Sequence, residues 1–265
     1  MRPHAISGES EEQYVQTDKL RARISLHAKF GRPDWYPWLL SQMDLKPGAI
    51  VADVGCGIGS LWAAVSGRLP PSIVLHLVDR SPAMVAAATA QLEGLKEVGV
   101  RGIVADACAL PFEEAMFDTS IAIHMLYHLP DPEQGVRELR RTMKPGGRAL
   151  AALNGDGNMR EIAELIASVL GRSDRDPSTE KFSVEQGEQA FGRHFTHVAV
   201  ARFEDELVCD DPVDVYAYVA SLPLPPGAGD RMGDMRRAID RAFAAGGGVF
   251  RIRKDMRLLV GSVSP

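Results

Sequence analysis

Cysteine is scarce in this chain. Three residues, Cys56, Cys108 and Cys209, lie far apart and are odd in number. That excludes a disulfide framework and points to a reduced compartment. No apolar run reaches the ~18 residues that a membrane span needs. The opening segment, MRPHAISGESEEQ, lacks the apolar core of a signal peptide. A cytoplasmic protein with no membrane partner is therefore expected. No dense Lys/Arg run is present and the net charge is −5, which argues against nucleic acid as a partner. Internal repeats and low-complexity segments are absent as well. What remains is 45% hydrophobic and 25% charged over 265 residues. That suits one large α/β domain, or one domain with a lid.

The most informative stretch is V51-ADVGCGIG-S60. It joins a buried strand to a glycine loop, Gly55-x-Gly57-x-Gly59, and then to a helix. Glycines let the backbone turn tightly and approach a ligand, and a helix N-terminus presents free N–H groups to an anionic group. The dinucleotide fingerprint G-x-G-x-x-G does not fit, because the third glycine comes one residue early. The G-K-[ST] of a phosphate-binding loop is missing too. Asp53, two residues before the first glycine, would repel a pyrophosphate. It would suit S-adenosylmethionine (SAM), which carries an ammonium and a sulfonium. Cys56 within the loop reads as a small side chain that fits, rather than as a nucleophile.

Strand and helix signals alternate. Helices are expected over 11–28 and 34–44, then strand one at 49–54 and a helix over 59–68. Strand two spans 72–78, and Ser81 with Pro82 opens a helix as cap and first residue. Strands three and four are expected at 101–105 and 117–123. Asp131 and Pro132 open a helix to about Met143. Residues 144–147 (KPGG) read as a turn before strand five at 148–153. Beyond it come an amphipathic helix at 158–170, a polar and mobile stretch at 171–181, and a helix at 184–193. Strand six follows at 197–209, helices at 212–221 and 230–245, and strand seven at 249–260. Such alternation implies right-handed crossovers and a parallel sheet. The last strand, after a long connection, is free to pair antiparallel.

These motifs, together with LVDRSPAM, VADACALPF, FDTSIAIHMLYHLPDP and LRRTMKPGGRAL, resemble class I SAM-dependent methyltransferases. The likeness is to the small-molecule type related to ubiquinone and menaquinone methyltransferases. It is strong over 45–155 and holds in outline elsewhere. It implies a Rossmann-like seven-stranded α/β sheet of order 3-2-1-4-5-7-6, with strand seven antiparallel and helices on both faces. It further implies an N-terminal helical lid, 1–44, on a core, 45–265, with acceptor-side helical insertions at about 155–195 and 211–246.

The resemblance assigns SAM contacts to Asp53, Gly55, Cys56, Gly57, Gly59, Asp79, Arg80, Met84, Asp106, Ala107 and His124. Asp79 ends strand two, where a carboxylate accepts ribose hydroxyls, as in dinucleotide folds; its other reading is a charge beside the Ser81 cap. Met84 covers an adenine face or is a core methionine. Asp106 accepts the adenine amino group, with the Ala107 N–H on a ring nitrogen, or is a solvated turn carboxylate. His124 and His128 each read as general base or as packed structural histidine; His124 also reads as a contact to the methionine end of SAM. Tyr14, Trp35, Tyr36 and Tyr127, with Trp38 nearby, line an acceptor pocket or belong to the core.

No acidic metal ligands follow strand four, so no metal is expected. No D/N-P-P-[YF] motif is present, which weakens methylation of nucleic-acid bases. The expected activity is methyl transfer from SAM to O, N or C of a small, specialised metabolite, leaving S-adenosylhomocysteine (SAH), by a monomer or homodimer. Two other readings stay open: a SAM-binding fold without methyl transfer, such as a cyclase or scaffold, and an NAD-dependent oxidoreductase.

Overall fold

The run IVADV at Ile50–Val54 (β1) is buried along almost its whole length, as the central strand of a sheet covered on both faces must be. A computed structural model describes residues 17–171 and 177–264. Two helices, Thr17–Phe30 (α1) and Trp35–Met43 (α2), precede β1. Then follow α3 (Ser60–Val65, continued by a 3-10 turn to Arg68), β2 (Val74–Asp79), α4 (Pro82–Gln91), β3 (Gly99–Val104) and β4 (Phe117–Ile123). After a short 3-10 turn come α5 (Pro132–Thr142) and β5 (Met143–Asn154). The remainder is α6 (Arg160–Leu170), α7 (Pro177–Lys181), α8 (Val184–His194), β6 (His197–Cys209), α9 (Pro212–Ser221), α10 (Met232–Ala245) and β7 (Phe250–Ser262).

Three helices start on the same device. Ser81, Asp131 and Asp211 each accept an N–H of the first turn and are each followed by proline. The side chain satisfies one free donor, and proline at the first position loses no bond.

The sheet runs β3-β2-β1-β4-β5-β7-β6. The strands from β3 to β5 pair in parallel, with Ala52 between His76 and Ser120. Bonds from Val263 N to Gly147 O and from Gly155 N to Asp255 O run in opposite senses along β5 and β7. That makes β7 antiparallel and the sheet mixed, as expected.

Two local expectations need correction. The KPGG segment is not a turn ahead of β5 but a bulge inside it. Phe117 pairs with Met143 and Thr119 already with Arg148. Gly146 takes φ +75°, and its N–H reaches Val263 O at 3.2 Å. Pairing of its flanking residues with β4 and the bonds to Val263 keep this stretch in the sheet despite its turn-forming residues. Strand β2 starts two residues late because Ser72 adopts φ +61° and donates to Glu97 O outside the ladder.

Contacts group the described chain into two compact units. One comprises 34–153, 181–202 and 257–264 and holds the sheet body. One face of its core gathers Ala52, Phe117, Leu126, Leu139 and Phe191; the other gathers Leu39, Val51, Trp62, Leu75 and Ile121. The other unit comprises 17–33, 154–171, 177–180 and 203–256. It is a helical cluster in which Leu26 of α1 is buried with Ile162, Val215, Val219, Met235 and Ile239. The units divide between residues 33 and 34, and Leu39 and Met43 of α2 are buried with the sheet. Arg23 of α1 instead donates to Ser221 O of α9 at 3.3 Å, and Lys29 pairs with Asp214.

Candidate active site

All three loop glycines are left-handed, with φ of +76° at Gly55, +54° at Gly57 and +78° at Gly59. Their tasks differ. A Cβ on Gly55 would lie 2.7 Å from the Met125 side chain, and one on Gly59 would lie 3.1 Å from Ala88 Cα of α4. Both therefore serve packing. At Gly57 a Cβ would meet nothing within 4 Å, so this backbone faces open space. The loop is tied to the end of β2, where Val78 O accepts the N–H groups of Gly55 and Cys56 at 2.7 and 3.0 Å.

Asp79 closes the other side. Its Oδ2 accepts the Gly57 N–H at 3.1 Å and its Oδ1 the Ser81 N–H at 2.9 Å. Burial raises its pKa, partly offset by these two bonds. An ionised carboxylate has about four acceptor sites, so both oxygens keep capacity for hydroxyl donors. Arg80 follows directly and its charge also favours the ionised form of Asp79.

Asp53 is 4% exposed. Its Oδ2 accepts the indole N–H of Trp62 at 2.8 Å. Burial pushes its pKa up to about 7, the Trp62 bond opposes that rise, and the neighbouring charge of Asp79 adds to it. Tyr36 is pushed up by burial, hydrogen-bonds Ser60 and lies close enough to Asp53 for that carboxylate to oppose ionisation of the phenol. Cys56 is driven far above the usual thiol range by burial and by Asp53 and Asp79, which leaves a neutral thiol with no nucleophilic character.

The Asp53 shift has a consequence for stability. Folding raises this pKa from the ordinary 3.8 to about 7. The resulting penalty is absent below pH 4, builds as pH rises toward 7 and is complete above it. Asp53→Asn is therefore expected to raise the Tm of the ligand-free protein at pH 8 and to leave it nearly unchanged at pH 4. Equal Tm changes at the two pH values in a thermal scan would refute this environment for Asp53.

After β4 the chain turns sharply. His124 takes φ +54°, uncommon outside glycine but tolerated by histidine. Its N–H is held by Ala152 O at 3.1 Å. Its ring centroid lies 5.7 Å from that of Trp35, which stacks on Trp38 at 5.5 Å. Tyr127 and His128 sit on the following 3-10 turn, with ring centroids 4.7 Å apart. The left-handed residue breaks any helix here, so His124 and His128 do not share a helical face despite their spacing of four. Among the described residues, no three His, Cys, Asp or Glu side chains converge on a metal-sized site.

The surroundings of the other expected residues are as follows. Met84 is fully buried and presents no surface in this structure, in keeping with a core methionine. Asp106 turns Oδ1 onto the Cys108 N–H at 2.8 Å, stiffening its own turn, and Ala107 is buried in the core. Tyr14 lies outside the described residues. Sequence reasoning passed over Trp62 and Ser60. Trp62 has no exposed surface, and from sequence it looks like one more apolar residue on a short helix. Its distance of nine residues from Asp53 was the one available signal.

Residues 52–151 match a family model described as a methyltransferase domain. Methyltransferase GfsG of Streptomyces halstedii is 33% identical over 129 residues, covering 48% of this chain and 46% of that protein. A demethylmenaquinone methyltransferase of Bacillus mycoides is 31% identical over 116 residues, 44% of this chain and 49% of its own length. The chain thus matches about half the length of each of these curated relatives. The fold is shared with a Haemonchus contortus phosphoethanolamine N-methyltransferase 2, solved with phosphomonomethylethanolamine and SAH. Its TM-score is 0.60 at 16% identity, covering 100% of this chain and 62% of that one. No helix among the described residues is long and apolar enough to cross a membrane.

Proposed function

We propose that this chain, whose residues 52–151 match a methyltransferase-domain family model, is a class I methyltransferase that transfers a methyl group from SAM to an O, N or C atom of a small specialised metabolite. The observation that carries the reading is the Gly57–Asp79 cradle. An open, left-handed glycine backbone and a strand-end carboxylate meet at 3.1 Å, and Asp53 lies buried at the end of β1 beside them.

The residues suit such a cofactor. Asp79 would hold the ribose hydroxyls, with Arg80 beside it. Asp53 would face the ammonium group. The space over Gly57 would admit the nucleoside backbone. Asp106 and Ala107 would flank the base, and Trp35, Tyr36 and Tyr127 would present apolar walls to the acceptor. SAM supplies an electrophilic methyl group on a sulfonium. An electron pair of the acceptor would form the new bond as the carbon–sulfur bond broke, with SAH as the leaving group. The protein's part is chiefly alignment, worth ~7–11 kcal/mol when reacting atoms are held in line. His124 would take a proton from an acceptor that must lose one.

SAH is expected to bind the wild-type protein, and Asp79→Ala to weaken that binding by roughly 1.5–3 kcal/mol, the range for hydrogen bonds to a charged group. Calorimetry on folded protein decides. Unchanged affinity in the variant would remove Asp79 from the cofactor site, and no SAH binding by the wild type would remove the cofactor. Release of SAH on turnover then separates transfer from a fold that binds SAM without methylating.

A further inference from the structure

Asp53 is an unusual receptor for a cation. Among the described residues its one hydrogen-bonding side chain is an uncharged indole, and Trp62, which carries it, is itself wholly buried. Trp62 can only donate, so it fixes Oδ2 and favours the carboxylate without supplying a counter-charge. Every other ionisable group felt by Asp53 works against ionisation or is neutral. Asp79 ends the neighbouring strand with a second negative charge. Cys56 in the loop stays a thiol and Tyr36 of α2 stays a phenol, both pushed upward by burial. Arg80 acts on Asp79, and among the described residues no cation contributes to Asp53 itself.

From this arrangement we infer that the cofactor site is proton-coupled. Asp53 is a buried acid held by Trp62. It gives up its proton when the ammonium group of the cofactor's amino-acid end arrives, and Trp62 is the positioning residue that sets the pH at which this happens. The inference rests on the SAM reading above. The step balances simply: the O–H bond of Asp53 breaks, the proton passes to solvent, and the ammonium becomes the counter-ion of the carboxylate. The isolated acid, raised to about 7, then titrates in the physiological range, and the ion pair titrates well below it.

The probe is SAH, titrated calorimetrically into the intact chain in buffers of different ionisation enthalpy. The slope of enthalpy against buffer enthalpy counts protons. The wild type is expected to release close to one proton at pH 6.5, and to bind about tenfold more tightly at pH 7.5 than at pH 6. Methylthioadenosine, which keeps the nucleoside and lacks the amino-acid end, should bind with no proton release and no pH slope. Asp53→Asn should bind SAH without either. Trp62→Phe removes a bond that favours the carboxylate. Its release should therefore move to higher pH, exceeding the wild type at pH 7.5, a direction that looser packing alone would not impose.

Proton-neutral SAH binding by the wild type would overturn the coupling and leave the cofactor reading intact. No SAH binding at any pH would overturn both. Equal release with methylthioadenosine would move the proton to Asp79 and refute the assignment to Asp53. If Trp62→Phe does not fold, the wild type, Asp53→Asn and methylthioadenosine still decide the coupling.

Discussion

Replacing His124 with asparagine is expected to lower kcat by ~10²–10⁴-fold for an acceptor that must lose a proton, the usual range for a general base. Asparagine is the better choice for this test because it accepts the left-handed backbone that His124 adopts at φ +54°, whereas alanine would add strain. His124 has the stronger geometric claim than His128. It directly follows β4, its N–H is pinned to Ala152 O, and its ring faces Trp35. His128 lies a turn further on, against Tyr127. The decisive measurement is the pH–rate profile of both proteins with an acceptor found by screening small hydroxyl and amine compounds for SAH release. An ionisation near neutrality that persists unchanged in His124→Asn would sink the base assignment. A parallel loss of SAH affinity and turnover would make His124 a cofactor-positioning residue instead.

Gly57→Val is expected to abolish SAH binding. Two effects act together. A branched residue is strained at φ +54°, and its side chain would project into the open space above the loop. The same exchange at Gly48 provides a control for strain alone, because φ there is +78° and a Cβ likewise meets nothing within 4 Å. Both variants should lose some Tm, and only the Gly57 variant should lose SAH. Calorimetry at high SAH concentration reads this directly. Normal binding by Gly57→Val would show that the loop does not face the cofactor.

Much of the sheet was legible because its boundaries carry strong local signals. β4 at Phe117–Ile123, β6 at His197–Cys209 and α9 at Pro212–Ser221 begin and end where expected. β4 is a largely apolar run, β6 carries valines with Phe203 and Leu207 buried among polar residues, and α9 is a helix opened by an acid and a proline. The glycine loop and Asp79 were legible for a related reason, since an unusual backbone demands glycine and a strand-end acid stands out after an apolar run.

What local pattern could not supply is anything that depends on a distant partner. KPGG has turn chemistry, yet it lies within β5 because β4 pairs with Met143 and Arg148 at its two ends and Val263 bonds Gly146 and Gly147. Trp35–Met43 and Thr17–Phe30 read as two helices of one N-terminal lid. Their buried faces nonetheless belong to different cores, through Leu39 in one and Leu26 in the other. Met84 could be placed at a ligand or inside the core, and only packing put it inside. Asp53 makes the difference plainest. By itself the sequence determined that an acid precedes the glycines, and hence that a cationic ligand suits the loop. Only the tertiary structure decided that this acid is buried against the indole of Trp62. Desolvation is a property of the assembled surroundings, and it is desolvation that brings the Asp53 pKa into the neutral range.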